Sequence, residues 1–183
     1  NPRGQKHYIA AAFPSGCGKT RLATLVPSLP GWQVETVGDD LCWMHVGQDG
    51  RLWAINPEAG MFGMAPGISI GSNANAMSAL SSDTIFTNVA LRPDGTPWWE
   101  GKRPLSIGEQ LINWRGERWT QGTGSPAAHP NSRFTVSLAH FPSSSGSFNN
   151  PQGVPISAIL FGGSRAKLAP LVYEAHDWSH GVY

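Results

Sequence analysis

The sequence predicts an α/β protein in which a mixed β-sheet and short helices surround a glycine-rich loop. Residues 8–13 (YIAAAF) form a small apolar run of strand length, and a short helix follows the loop and stops before Pro27. The rest of the chain alternates apolar runs with turn signals and shows few long helical periods. At 183 residues, with no internal repeat and no convincing linker, the chain suits a single domain.

The glycine-rich loop (FPSGCGKT) starts at Phe13. Gly16 and Gly18 allow backbone N–H groups to turn inward, Lys19 can reach terminal phosphates, and the Thr20 hydroxyl can bind a divalent ion. The general phosphate-loop pattern has glycine where this chain has phenylalanine, so a glycine-rich turn that caps a helix by chance is the alternative. The strand before the loop and the Lys-Thr pair favour a phosphate-binding loop.

Further elements follow from apolar periodicity and turn residues. Strands are predicted at residues 31–37, 41–46, 51–55, 84–90 and 155–161, of which the second and third form a hairpin. Short helices are predicted at residues 75–80 and 107–114, a turn at residues 93–96 and an exposed loop at residues 143–150. We expect the strand that precedes the phosphate-binding loop to be central in its sheet, the last strand to be buried, and some apolar surface to remain open.

Two carboxylates, Asp39 and Asp40, follow the predicted strand at residues 31–37. Proteins with a phosphate-binding loop commonly bring an acidic residue from a neighbouring strand end to the metal that bridges the phosphates. Successive strand residues point to opposite faces, and Gly38 provides the turn that would let both side chains face one site. Taken alone, the pair is typical of a solvated turn or a helix cap, but its place shortly after the Gly-Lys-Thr sequence favours a metal site.

Two other polar groupings have weaker patterns. Asn131, Ser132 and Arg133 place an amide, a hydroxyl and a guanidinium in consecutive positions, and the planar fork of arginine suits carboxylate or phosphate. A turn with a surface arginine explains the same pattern. His176 and His180 have a metal-ligand spacing, but no acidic third ligand is fixed beside them, so they do not by themselves predict a zinc site.

Composition restricts the function classes only loosely. The charged fraction is 14% and the formal net charge is +1, which gives no electrostatic case for nucleic acid or an anionic membrane as the main partner. The start lacks a signal-peptide core, and no apolar run reaches the length that spans a bilayer. Cys17 and Cys42 are too few for a disulfide framework, which favours a reducing compartment. The first residue is not Met and the chain ends soon after an apolar segment, so we expect a piece of a longer chain.

Several segments together, in chain order, resemble the central part of GTP-dependent phosphoenolpyruvate carboxykinase. They are residues 10–20 (AAAFPSGCGKT), 37–40 (VGDD), 55–58 (INPE), 65–67 (APG), 84–90 (TIFTNVA), 129–134 (HPNSRF) and 170–175 (PLVYEA). The cysteine within the loop is specific, because the ATP-dependent relatives carry a glycine- and threonine-rich loop without it. The resemblance covers residues 1–183 and implies that they are the central nucleotide- and metal-binding part of that family's catalytic region.

The resemblance implies the reversible conversion of oxaloacetate and GTP to phosphoenolpyruvate, CO2 and GDP. In this family, decarboxylation leaves an enolate that Mn2+ stabilises, and the enolate oxygen then attacks the γ-phosphoryl group of GTP. The implied cofactors are a catalytic Mn2+ and the Mg2+ that accompanies GTP or GDP. The parent enzyme is expected to be a cytoplasmic monomer without nucleic-acid or membrane partners, with a mitochondrial form as the alternative.

The resemblance also implies roles for individual residues. The nucleotide phosphates would contact Gly16, Cys17, Gly18, Lys19, Thr20, Arg21, Arg133 and Ser164. The organic substrate or the moving phosphoryl group would contact Ser15, Asn131, Ser132 and Arg133. Asp40 would bind Mn2+ directly, while Thr20 and Asp39 would hold the nucleotide's Mg2+ directly or through another ligand. The implied catalytic residues are Cys17, Lys19 and Arg133: Lys19 would neutralise charge on the transferred group, and the helix N-terminus would favour a Cys17 thiolate.

Two positions depart from the family pattern. Arg21 stands where the family usually has Asn, and Ser164 with Arg165 stands where it usually has an arginine pair. Members of the family are also much longer, and take further metal ligands, a guanine pocket and a mobile lid from outside the equivalent of this segment. The 183 residues alone are therefore expected to be inactive. A stand-alone phosphate-loop NTPase, or a non-catalytic nucleotide-binding fragment or degenerate homologue, are the alternatives.

Overall fold

The computed structural model describes residues 1–163 and 172–182, which form eleven strands, three α-helices and one 3-10 helix. The strands are β1 (Tyr8–Ala12), β2 (Trp43–Val46), β3 (Leu52–Ile55), β4 (Gly60–Met64), β5 (Thr84–Thr87), β6 (Ala90–Leu91), β7 (Pro97–Trp98), β8 (Gln110–Ile112), β9 (Arg118–Thr120), β10 (Arg133–Ser137) and β11 (Val154–Phe161). The helices are α1 (Lys19–Ala23), α2 (Ala74–Ala79), α3 (Trp178–Val182) and the 3-10 helix Leu138–His140. Within this described part of the chain, no helix has the length and apolar character needed to cross a membrane.

The described strands lie in three sheets. The first has the order β1-β11-β3-β2 and is mixed, because β1 runs parallel to β11 while β3 runs antiparallel to both of its neighbours. The other two, β4-β10-β5 and β7-β6-β8-β9, are antiparallel. The predicted α/β class, with a mixed sheet and a few short helices, is confirmed.

The strand before the glycine-rich loop was predicted to be central in its sheet, and this prediction is wrong. Among the described strands β1 pairs only with β11, so it is an edge strand. An open cavity of about 710 Å³ is lined by residues of β1, β3 and β11 and by residues 31–37. Residues 31–37 do not form the predicted strand: within residues 1–163 and 172–182 their only ladder contact is an isolated bridge between Thr36 and Ser144.

Local predictions held where the turn chemistry was strong. The predicted hairpin consists of β2 and β3, and the helix predicted at residues 75–80 corresponds to α2. The predicted turn at residues 93–96 is closed by a hydrogen bond from Gly95 N to Arg92 O at 2.9 Å. The predicted strand at residues 84–90 is divided into β5 and β6 because Asn88 adopts a positive φ of 57°.

Three further predictions were wrong. Residues 107–114 contain strand β8 and no helix, since the alternation of exposed and buried side chains around Leu111 has the period of a strand and β9 supplies the ladder partners. Residues 143–150 are not simply an exposed loop, because Ser143 and Ser145 are buried and bond the segment around Thr36. β11 is half-exposed and not buried: Phe161 at its end is 73% exposed.

Two apolar clusters support the sheets. The larger packs β4, β10 and α2 around Trp99 and Phe134, which are both fully buried. Gly63 lies directly under the Phe134 ring, and a Cβ at that position would overlap the ring. The smaller cluster joins the strands of the third sheet and consists of Ala90, Trp98, Leu111, Trp119 and Ala127. Large apolar side chains also remain open on the first sheet, as expected: Trp43 is 68% and Val46 72% exposed.

Candidate functional site

The loop between β1 and α1 is shaped by two glycines with positive φ. Gly16 has a φ of 77° and Gly18, the residue that precedes the helix, has a φ of 97°. Side chains with a Cβ are strained in this region, so glycine suits both positions. Between them, Cys17 N donates to Pro14 O at 3.1 Å, which closes the turn and leaves the Cys17 side chain half-buried.

Lys19, the first residue of α1, folds back across the loop. Its Nζ donates to Phe13 O at 3.2 Å and lies 2.8 Å from Asp40 Oδ1. The side chain of Lys19 is 23% exposed and that of Asp40 is 47% exposed, so the ion pair sits at the open edge of the site. The ammonium is thus directed toward the loop and toward the second of the two adjacent carboxylates.

The neighbouring pair, Thr20 and Asp39, lies deeper. Thr20 Oγ1 donates to Asp39 Oδ1 at 3.1 Å, and the backbone N of Phe62 donates to Asp39 Oδ2 at 3.2 Å. Burial raises the pKa of Asp39 to about 6, against the opposing effect of these two hydrogen bonds, and the negative charges of Asp40 and Glu58 raise it further. Both aspartates therefore point toward the start of α1, as the turn at Gly38 allows.

Gly38 lies against the side chain of Asn56. A Cβ on Gly38 would lie 2.9 Å from Asn56 Oδ1, so a larger residue would displace the turn that precedes the two aspartates. The Asn56 amide in turn donates to Glu58 O at 2.7 Å, which fixes the start of the segment leading to β4. The position of the carboxylates therefore depends on contacts that the sequence pattern did not reveal.

Arg133 lies at the start of β10, beside the end of β4. Its Nε donates to Asn131 Oδ1 at 2.9 Å, and its guanidinium carbon lies 5.3 Å from the centre of the Phe62 ring. Asn131 is itself oriented by a 3.0 Å hydrogen bond from its backbone N to His129 Nδ1. In β4, Met64 pairs with Arg133 in the ladder and lies under Gly16 of the loop, so the two motifs are neighbours.

Ser132, the residue before Arg133, is buried in the core. Its side chain is fully buried, and its hydroxyl has no hydrogen-bond partner among residues 1–163 and 172–182. Alternation along the chain turns it into the core while Arg133 faces outward. The predicted contact of Ser132 with the organic substrate stays a prediction, and Ser15, the other predicted hydroxyl, is exposed in the loop.

Comparison with known proteins identifies the family. The model of the family described as "Phosphoenolpyruvate carboxykinase C-terminal P-loop domain" matches residues 1–183. The chain belongs to this family. The resemblance seen in the sequence motifs is thereby confirmed.

Similar proteins are named phosphoenolpyruvate carboxykinase (GTP). The relative from Chlamydia muridarum (strain MoPn / Nigg) is 57% identical over 182 residues, which is 100% of this chain and 30% of the relative. The one from Anaeromyxobacter sp. (strain K) is 55% identical over 185 residues, 100% of this chain and 31% of the relative. That from Chlamydia trachomatis serovar D (strain ATCC VR-885 / DSM 19411 / UW-3/Cx) is 56% identical over 182 residues, again 100% of this chain and 30% of the relative. The chain thus spans less than a third of the length of these carboxykinases.

Arg21 and Ser164, the two positions that depart from the family pattern, are both predicted to contact the nucleotide. One terminal nitrogen of Arg21 is 3.6 Å from the position that a Cβ would take on Gly67, so its guanidinium lies along the turn at residues 65–67. Ser164, and residues 170 and 171 of the PLVYEA motif, lie outside the described residues. His176 and His180 have the spacing of metal ligands. Their rings stack with the centres 4.8 Å apart, and His180 Nδ1 accepts a hydrogen bond from the backbone N of His176.

The residues around Asp40 suit a hard divalent cation in their chemistry. Carboxylate and hydroxyl oxygens are the donors that Mg2+ and Mn2+ prefer, and Asp39, Asp40 and Thr20 bring them together. The Oδ1 of Asp40 faces a lysine, a contact that a bound cation could replace. Within residues 1–163 and 172–182 no group of three or more His, Cys, Asp or Glu converges, so this part of the chain supplies only part of a ligand set.

Sequence reasoning missed Phe62. No motif in the sequence pointed to it, yet its backbone N donates to Asp39 and its ring contacts Arg133. Nothing in the local sequence distinguishes this aromatic residue from a core residue. A periodicity argument restricted to GMFGM could have noted that Phe62 points away from Met61, but not what it would meet.

Proposed function

We propose that this chain is the nucleotide- and metal-binding part of a GTP-dependent phosphoenolpyruvate carboxykinase. The complete enzyme would convert oxaloacetate and GTP to phosphoenolpyruvate, CO2 and GDP. The observation that carries the proposal is the convergence of Lys19 and Thr20, at the start of α1, on the paired carboxylates of Asp40 and Asp39. A cation suited to phosphate thus lies next to anionic groups suited to a metal, in a chain whose relatives are named phosphoenolpyruvate carboxykinase (GTP).

The proposed reaction has two balanced steps. The C–C bond between the leaving carboxylate and the rest of oxaloacetate breaks, CO2 departs, and the electron pair remains as an enolate. The enolate oxygen then forms a bond to the γ-phosphorus of GTP while the bond from that phosphorus to the bridging oxygen breaks, and GDP leaves with that electron pair. A divalent cation supplies positive charge that stabilises the enolate and the phosphates when it is bound.

The loop residues would act by charge and position. Backbone N–H groups of residues 16–20 would hold the β- and γ-phosphates, since the positive φ values of Gly16 and Gly18 allow the N–H groups of a loop to turn inward. Lys19 would leave Asp40 and neutralise charge on the transferred phosphoryl group. Thr20 would present its hydroxyl oxygen to the nucleotide's cation. Asp39 would accept the hydrogen bond from the Thr20 hydroxyl and so orient that oxygen.

Arg133 would hold a carboxylate of oxaloacetate or phosphoenolpyruvate, or the moving phosphoryl group. Its Nε is bound by Asn131, so the two terminal nitrogens remain in a fixed fork. The ladder neighbour Met64 lies under Gly16, which brings this fork to the side of the phosphate-binding loop. The proposal therefore places the organic substrate between Arg133 and the metal ligand Asp40.

The test uses the complete polypeptide that carries this sequence, with oxaloacetate, GTP and Mn2+, and follows phosphoenolpyruvate and GDP by 31P NMR. Equal amounts of the two products are expected, with little product when ATP replaces GTP. Release of GDP and inorganic phosphate without phosphoenolpyruvate would instead identify a nucleotide hydrolase. No turnover in the presence of tight GDP binding would identify a non-catalytic nucleotide-binding protein.

The 183 residues by themselves are proposed to be inactive. The supporting observation is that, within residues 1–163 and 172–182, Asp39 and Asp40 belong to no larger group of His, Cys, Asp or Glu side chains that could hold a metal ion. In the same assay the isolated chain should form no phosphoenolpyruvate. Turnover by the isolated chain would show that these two carboxylates suffice.

A further inference from the structure

Phe62 is an aromatic residue that faces outward beside the candidate site. It lies in the middle of β4, between the buried Met61 and Gly63, and its side chain is 54% exposed. It does not belong to the larger apolar cluster that its neighbour Met61 joins. Burial of a Phe side chain stabilises the folded state, so an exposed ring on an ordered strand forgoes much of that stabilisation.

The ladder between β4 and β10 explains what the ring does contact. Phe62 pairs with Thr135, and Arg133 is two positions away on β10, so Phe62 and Arg133 are diagonal neighbours on the same face of the sheet. The guanidinium carbon of Arg133 lies 5.3 Å from the ring centre, within the range of a cation–π contact. The ring therefore limits the directions in which this guanidinium can lie.

Asn131 fixes the same guanidinium from another side. Its Oδ1 accepts from Arg133 Nε at 2.9 Å, and within the described part of the chain the terminal nitrogens of Arg133 form no hydrogen bond or ion pair. An arginine held by its Nε and by one face keeps its two terminal N–H groups available for a bidentate anion. Because the side-chain entropy has already been lost, less is lost when the anion binds.

Phe62 also contacts the metal side of the site through its backbone. Its N–H donates to Asp39 Oδ2 at 3.2 Å, and the other oxygen of Asp39 accepts from Thr20. One residue thus fixes a carboxylate beside α1 with its peptide group and a guanidinium with its ring. The peptide contact does not depend on the side chain, so substitution of the ring tests the contact with Arg133 separately.

We propose that Phe62 is a positioning residue for substrate carboxylate binding: its ring holds the Arg133 guanidinium in the orientation that receives a carboxylate of oxaloacetate or phosphoenolpyruvate. This inference rests on the proposed function, which supplies the substrate class. Phe62 itself forms no bond to the substrate. Its effect is exerted through the direction of the Arg133 fork.

The test compares Phe62→Leu with Phe62→Tyr in the complete polypeptide that carries this sequence. Leucine keeps an apolar side chain without a ring quadrupole, whereas tyrosine keeps the ring. The matched control is Ile85→Ala, because Ile85 is 68% exposed and pairs with Thr135 from the other side of β10. The measured quantities are kcat, the KM for oxaloacetate, and the Kd for phosphoenolpyruvate.

Phe62→Leu should raise the KM for oxaloacetate and the Kd for phosphoenolpyruvate by about threefold to tenfold, with kcat changed by less than about twofold. Phe62→Tyr and Ile85→Ala should each leave the KM for oxaloacetate and the Kd for phosphoenolpyruvate close to those of the unsubstituted protein. A purely structural role would lower the active fraction, and therefore kcat, without raising KM. Equal KM values for Phe62→Leu and Ile85→Ala would overturn the inference while leaving the proposed function intact.

A second measurement does not depend on the reaction. The aromatic ring current should shift the Arg133 side-chain proton resonances upfield in the unsubstituted protein, and Phe62→Leu should move them downfield. Absence of this change would overturn the positioning role whatever the substrate is. Failure of the unsubstituted protein to bind phosphoenolpyruvate, with the ring-current shift present, would contradict the proposed function and the carboxylate assignment but not the contact itself.

Discussion

Lys19 Nζ lies 2.8 Å from Asp40 Oδ1, so the cation of the glycine-rich loop is paired with the second of the two adjacent carboxylates. In the proposed function these two groups serve ligands of opposite charge, because Lys19 faces phosphate and Asp40 faces a metal ion. Each ligand must therefore compete with the ion pair. Binding of one ligand releases the partner that the other ligand needs, which couples the nucleotide and metal sites.

This coupling predicts that Lys19→Met raises the affinity for Mn2+ when no nucleotide is present. Removal of the ammonium leaves Asp40 without a competing cation, and a partly exposed pair of this kind corresponds to an increase of about threefold to tenfold. Mn2+ binding is measured by electron paramagnetic resonance. Lys6→Met, which removes a surface pair with Glu35, is the matched control and should change the affinity by less than about twofold. An unchanged or weaker Mn2+ affinity in Lys19→Met would contradict the competition.

Asp40→Asn and Lys19→Ala should affect the two half-reactions differently. Asp40→Asn keeps the side-chain size but removes a negative charge, so it should raise the Mn2+ requirement by at least about tenfold and slow both decarboxylation and phosphoryl transfer. Lys19→Ala should depress phosphoryl transfer more than the GDP-dependent decarboxylation of oxaloacetate. Both half-reactions are measured against Mn2+ concentration in the complete polypeptide. If Asp40→Asn leaves the Mn2+ dependence unchanged, Asp40 is not a metal ligand.

Cys17 should be protected from alkylation by bound nucleotide. Its half-buried side chain lies inside the loop, so GDP with a divalent cation should slow its reaction with iodoacetamide, and its modification should abolish turnover. Cys42 is exposed and does not lie in a strand, but desolvation raises the pKa of its thiol. Its alkylation should be slow at neutral pH, faster as the pH rises, and indifferent to GDP. Peptide mass mapping of each site measures both rates, and equal Cys17 rates with and without GDP would contradict its placement.

Asp39 should make the stability of the metal-depleted protein depend on pH. Its pKa is raised to about 6 in the folded chain, compared with about 4 in an unfolded one. The folded state therefore binds the proton more tightly, so the stabilisation is complete below about pH 4 and is lost as the pH rises through about 6. Asp39→Asn should then stabilise the metal-depleted protein by about 1–2 kcal/mol at pH 8 and by much less at pH 4, after allowance for partial solvent screening. Denaturant unfolding at the two pH values measures the difference, and a constant difference would contradict the raised pKa.

Elements with strong local signals could be predicted from the sequence. The β2–β3 hairpin, α2 and the turn that ends at Thr96 follow from turn residues and short periodic segments that need no distant partner. The helix expected at residues 107–114 failed because a short apolar segment has no period of its own until β9 pairs with it. The strand expected at residues 31–37 did not form because, among the described residues, no neighbouring strand supplies its hydrogen bonds.

The residue types alone indicate the chemistry expected of the loop and of the two carboxylates, because glycines that favour positive φ and side chains that suit phosphate or metal are properties of single positions. The sequence also carried the family resemblance, which the comparison with known proteins confirmed. Which charged side chains contact one another depends on the tertiary structure. The pairing of Lys19 with Asp40, the burial of Ser132 and the contact of Phe62 with Arg133 join residues from different elements, and their distances depend on how the sheets pack. Periodicity gives the face of a side chain, whereas the identity of its neighbour across the sheet depends on register and on pairing between distant segments.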